Sequence, residues 1–148
     1  MGLDLICNYK SQNCGSYSSV QQIRYLLLIT LKDYLEIEVV NEIDPLKKDI
    51  MVEYIINLIR DKNKIDYEKE NHPGKHIFNI YNIAGFFPFI FHSDSKGSLN
   101  SLEAKEFMET YELVKDYIPD QLKNTDGSFY LNSIFEESID SFCDIYFI

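Results

Sequence analysis

The sequence predicts a single α+β domain over 1–148, with about four helices packed on a small sheet that includes the N- and C-terminal strands. Three observations predict it. The length of 148 residues is close to that of one ordinary domain and buries a real core without a metal or disulfide staple. Both ends of the chain alternate in the period of a strand, and between them apolar residues recur at helical spacing.

The elements follow in order. Leu3, Leu5 and Cys7 alternate with Asp4 and Ile6, giving a first strand. Asn8 to Gly15 reads as a polar loop. Ser18 or Ser19 caps the next helix, with Gln21 and Gln22 three residues on as capping-box partners. Val20, Ile23, Leu27, Leu31 and Tyr34 form its buried stripe, widened by Leu26, Leu28 and Ile29, and it runs to about Leu35. Glu36 to Ile43 is a short strand or an extended connection. Asp44-Pro45 starts a second helix, which carries Ile50, Met51, Tyr54, Ile55, Leu58 and Ile59 and fades near Arg60.

Asp61 to Lys75 is a charged surface loop ending in Pro73-Gly74. Phe86 to Phe91 is continuously apolar and reads as a buried strand, with Pro88 marking an edge or a bulge. A third helix spans about Ser101 to Tyr117, with Ala104, Phe107, Tyr111, Val114 and Ile118 inward, and Pro119 ends it. Asp126-Gly127 is a turn, and Leu131 to Asp140 a fourth helix. Cys143, Ile145 and Phe147 alternate with Asp144 and Tyr146 in a last strand.

Composition excludes several functions. Eleven Tyr and ten Phe predict an aromatic core. A formal charge of −10 repels phosphate backbones and anionic membranes, so neither nucleic acid nor membrane is expected, and a basic protein partner is favoured. No apolar run is long enough to span a bilayer, and the start Met1-Gly2-Leu3-Asp4 lacks the basic region of a signal peptide. Three cysteines, Cys7, Cys14 and Cys143, are an odd, small set that predicts reduced thiols in a cytoplasmic setting. Cys7 and Cys143 fall in strand patterns, which leaves Cys14 as the exposed thiol. No nucleotide-binding glycine loop, nucleophile elbow or metalloprotease motif occurs, and no cofactor is expected.

The segment from His92 to Glu103 holds the most chemistry. Its spacing matches a calcium loop: Asp94 at position three, Gly97 at six, Ser98 at seven, Leu99 at eight, Asn100 at nine and Glu103 at twelve. His92 and Lys96 stand where oxygen ligands belong, and the lysine ammonium repels a divalent ion at close range. Asp94, Ser98 and Glu103 are the metal-ligand candidates. Asn100 and Glu103 also read as a capping box, with Gly97 as the turn before it. That explanation covers Gly97 to Glu103 and leaves His92 to Asp94 without one. His72 and His76 resemble half a zinc site with no second half.

Three motifs together carry a resemblance. They are the opening Met1-Gly2-Leu3-Asp4-Leu5, the Gly15-Ser16-Tyr17-Ser18 lead-in to a helix, and His92-Ser93-Asp94 with Gly97 before a Glu-bearing helix. The chain resembles small bacterial and viral proteins that open with Met-Gly-Leu-Asp and carry a His-Ser-Asp-Cys-Asp-Gly loop. Ser95 and Lys96 replace the Cys and Asp of that loop, and the resemblance implies no particular activity.

Three functional classes follow. The first is a non-catalytic interaction domain, inhibitor- or immunity-like, for a basic partner. The second is a metal-modulated domain using the degenerate loop His92 to Glu103. The third is a small enzyme centred on Asp4, His92 and Asp94, in which a histidine and paired carboxylates converge.

Overall fold

A computed structural model describes residues 2–37, 43–61, 75–92 and 97–148. Among them it places a four-stranded antiparallel sheet and six α-helices. The strands are β1 (Gly2–Cys7), β2 (Lys10–Ser16), β3 (Ser98–Leu99) and β4 (Ile145–Phe147), in the order β2-β1-β4-β3. The helices are α1 (Tyr17–Ile37), α2 (Pro45–Arg60), α3 (Lys75–Ile80), α4 (Phe87–Ile90), α5 (Ser101–Val114) and α6 (Asn132–Ser141). The terminal strands pair at the centre of the sheet, Leu5 opposite Phe147 and Ile6 opposite Tyr146. The α+β class is the one expected. No described helix is long and apolar enough to cross a membrane.

The first departure is β2, where a polar loop was expected. Asn8 takes the left-handed backbone (φ 56°) that asparagine tolerates, and with Tyr9 it reverses the chain into a hairpin. Only Cys14 of β2 is fully buried, because β2 is an edge strand facing water. A half-solvated edge strand and a loop have the same polar composition. The pairing slips by one residue between Gly2 and Asp4, a bulge near Gly15 (φ 80°), whose N–H donates to Asn13 Oδ1 at 2.8 Å. Helix α1 then begins sooner than the serines at 18 and 19 predict. Ser16 Oγ accepts the Ser19 N–H at 3.3 Å and takes the capping role.

The second departure is α4, where a strand was expected at Phe86 to Phe91. A short run buried on every side carries no periodicity that separates strand from helix. Pro88 fits the first turn of a helix, where its missing N–H has no intrahelical partner to lose. The chain before α4 is pressed onto α5. Thr110 Oγ1 accepts from the Gly85 N–H at 3.0 Å and donates to the Asn82 carbonyl at 3.2 Å. A Cβ at Gly85 would collide with the Glu106 carbonyl, so the close approach requires glycine.

Helix α3 and the two-residue β3 were not expected, whereas α2, α5, α6 and β4 match the sequence reading closely. Asp44 caps α2, its Oδ1 accepting the Leu46 N–H at 2.9 Å, and Pro45 opens the helix. Helix α5 continues as a 3-10 turn, Lys115–Tyr117, up to Pro119. The expected apolar face of α2 is narrower than predicted, since Ile50 is exposed. Aromatic rings fill the core as expected: Phe107 stacks on Phe135 at 4.1 Å between centroids and meets Phe86 at 4.7 Å. Residues 38–42 and 62–74, with the predicted connection and surface loop, lie outside the described residues.

Cys7 ends β1 and Cys143 precedes β4, and the two form a disulfide with their Cα atoms 6.2 Å apart. The reduced thiols expected from the cysteine count are therefore corrected for this pair. A sequence separation of 136 concealed a proximity created by the pairing of the terminal strands.

Candidate functional site

His92 closes α4, its N–H donating to the Phe89 carbonyl at 3.3 Å. Its carbonyl accepts a 2.6 Å hydrogen bond from Nη2 of Arg24, and its ring stacks on Phe147 with centroids 3.8 Å apart. Arg24 lies within the buried face of α1 at 1% exposure, its guanidinium carbon 6.0 Å from the Phe89 ring centre. A guanidinium in an apolar interior needs carbonyl acceptors, and the turn after α4 supplies one. The part of the segment that lacked an explanation thus gains one at His92: it ties α4 to α1 and to the last strand. The sequence signal was present but overlooked, since Arg24 is the sole charged residue between Tyr17 and Leu31.

Beyond Gly97 the segment holds the predicted cap. Gly97 has φ 95°, and its missing side chain leaves room for the His92 ring, which would stand 3.2 Å from a Cβ. Asn100 Oδ1 accepts the Glu103 N–H at 2.8 Å, and Glu103 Oε1 accepts the Asn100 N–H at 3.0 Å. Of the metal candidates, Glu103 spends a carboxylate oxygen on the cap, and Ser98 lies in β3 opposite Tyr146. Asp94 lies outside the described residues. Among the described residues no three His, Cys, Asp or Glu side chains are placed to hold a metal ion. The helix leading into the loop is the single turn α4, shorter than the entering helix of an EF-hand. His76 is exposed on α3, and His72 is outside the described residues.

Of the enzyme candidates, Asp4 and His92 are not brought together. Leu3, Leu5 and Cys7 point into the core, so Asp4 and Ile6 lie on the other face of the sheet. The Asp4 carboxylate accepts from Asn13 Nδ2 at 2.8 Å. Phe147, on which His92 rests, pairs with Leu5 and lies on the core face.

Cys14, expected to be exposed, is 5% exposed and lines a pocket of about 450 Å³ between β2, α1 and the 3-10 turn Asp120–Leu122. Burial pushes its thiol up to about 11, and Tyr130, which is hydrogen-bonded to it, is raised as well, also by burial. Both groups are neutral near pH 7, so Cys14 lacks the thiolate a nucleophile needs.

The outer face of the sheet is a different kind of surface. Asp144, Tyr146 and Ile148 alternate with the buried Ile145 and Phe147, and so lie beside Asp4 and Ile6. Tyr146 and Ile148 are exposed. From Asn124 to Ile148 the chain carries Asp126, Glu136, Glu137, Asp140 and Asp144 and no Lys, Arg or His.

No family model matches the chain, and neither a curated protein nor a solved structure matches it.

Proposed function

We propose that this chain is a non-catalytic interaction domain, inhibitor- or immunity-like, whose partner is a basic protein. The outer face of the sheet carries the reading. There the exposed Tyr146 and Ile148 and the half-buried Ile6 supply apolar contact, Asp4 and Asp144 supply the charge, and the final stretch of chain adds only carboxylates. Exposed aromatic and aliphatic side chains beside charges of one sign are what a steered, charge-complementary interface uses. A cytoplasmic location belongs to the same proposal, and it requires the Cys7–Cys143 bond to survive, or to be dispensable in, a reducing pool.

The test is affinity capture on the intact chain, identification of what binds, and calorimetry with the purified partner. The expected partner has a high isoelectric point. Its affinity falls about tenfold in the doubly substituted Asp4→Asn, Asp144→Asn chain and falls again with added salt. A neutral or acidic partner, or an affinity indifferent to both changes, overturns the proposal.

A further inference from the structure

Two exposed aromatic rings flank the disulfide. Tyr9 stands fully exposed in the turn between β1 and β2, and Phe142, which ends α6, is 85% exposed. Their turns lie side by side. Cys7 and Cys143 are bonded, and Asn8 Nδ2 and Ser141 Oγ both donate to Oε1 of Glu137, at 3.4 and 3.1 Å. Phe142 also holds a left-handed backbone, φ 53°, at the helix end where glycine or asparagine is the low-cost residue. A large ring is therefore kept where neither burial nor backbone geometry favours it. Glu137 sits at this corner between the two turns, and Glu136, Asp140 and Asp144 are close to it or to Phe142 in sequence. Lys10, next to Tyr9 in the chain, is paired with Glu137 at 3.8 Å.

We infer that the Tyr9–Phe142 corner docks an arginine-bearing segment of the basic partner, with guanidinium planes lying on the two rings and the neighbouring carboxylates pairing with the same side chains. Charge complementarity selects the occupant. A guanidinium is the cation that stacks flat on an aromatic face while keeping its edge donors for carboxylates, whereas an ammonium acts as a hydrated point charge. The inference rests on the proposal that the partner is basic.

The experiment titrates the intact, oxidised chain with an oligo-arginine peptide, an oligo-lysine peptide of equal length and an acidic peptide, at physiological ionic strength. The variants are Phe142→Gly and Tyr9→Ala. The glycine suits the left-handed backbone, so the variant keeps the fold, and neither substitution changes the charge. The expected result is oligo-arginine bound more tightly than oligo-lysine, with the arginine affinity falling about tenfold in Phe142→Gly and by less in Tyr9→Ala. If both cationic peptides bind the parent and Phe142→Gly equally, the anchor is overturned while the basic-partner reading stands. If neither cationic peptide binds better than the acidic one, the basic-partner reading falls and the anchor with it. If the parent alone self-associates in sedimentation and Phe142→Gly does not, the occupant is a second copy of this chain and the inference is overturned.

Discussion

Gly97, leading into α5, and Phe142, ending α6, both hold left-handed backbone, at φ 95° and 53°. At Gly97 the residue suits its geometry. Glycine takes the turn without strain, leaves space for the His92 ring, and hands over to a complete capping box. At Phe142 the residue opposes its geometry and exposes its ring; the Phe142 and Cys143 N–H groups donate to the Ser138 carbonyl, Ser138 Oγ donates to the Cys143 carbonyl at 2.5 Å, and the disulfide fixes the next residue. The first region is stable through local chemistry. The second adds a cross-link to its local bonds, and a conformation held at a cost is where a functional constraint is to be sought.

The largest effect expected is at the second region. Cys143→Ala should lower stability by about 4 kcal/mol, because the bond closes a loop of most of the chain and so restricts the unfolded state. Denaturant midpoints with and without reductant measure it. A parent chain whose midpoint ignores reductant would show that the bond does not form in solution. Gly97→Ala comes next, with a loss of about 1–2 kcal/mol, since it places a Cβ in left-handed backbone against His92. Asn100→Ala should cost about 1 kcal/mol through the lost cap, without change in the unfolding slope. Phe142→Gly should have the opposite sign and stabilise by about 0.5–1 kcal/mol, since glycine relieves the strain at φ 53° and little burial is lost. If it destabilises, Phe142 has a packing role and the contrast between the two helix ends disappears.

At neutral pH Cys14 contributes no pH dependence, and its effect is confined to alkaline solution. The folded chain raises this thiol from an ordinary 9.0 to about 11, so folding favours its protonated form. Its contribution is complete below pH 9.0 and is lost as pH rises through about 11. Stability should decline by roughly 2 kcal/mol across that window in the parent and less steeply in Cys14→Ala, where the raised Tyr130 still contributes, as read from thermal melts. Alkylation of Cys14 near pH 8 should be slow.

How much of this was legible in the sequence varied with the range of the interaction. Local chemistry was legible. Asp44-Pro45, the Asn100–Glu103 box, Gly97 and the stripe of α1 were all read from spacing, because each involves residues within one or two turns. The hairpin at Asn8 was hidden because an edge strand needs few apolar residues. The helix at Phe87–Ile90 was hidden because full burial removes the period. A left-handed glycine turn does not by itself bring a helix cap. Gly127 repeats the left-handed turn of Gly97, but α6 begins without a capping side chain. The long-range ties, Arg24 to His92 and Cys7 to Cys143, depend on strand order and helix packing. Of these only the lone charge of Arg24 amid leucines left a mark in the sequence.

The pairing of β1 with β4 also has a mechanical side. Ile148 lies beside Asp4, their backbones exchanging hydrogen bonds of 3.0 and 3.1 Å, so the start of β1 and the end of β4 meet at one end of the two central strands. Tension applied between them peels the two strands apart one rung at a time instead of shearing them. With the bond intact the peeling stops at Cys7 and Cys143, and the chain between them is never extended. After reduction the same pull would run on past those residues and extend the whole chain. A stretching trace recorded before and after reductant would therefore differ in extended length, not merely in the force at which the chain yields.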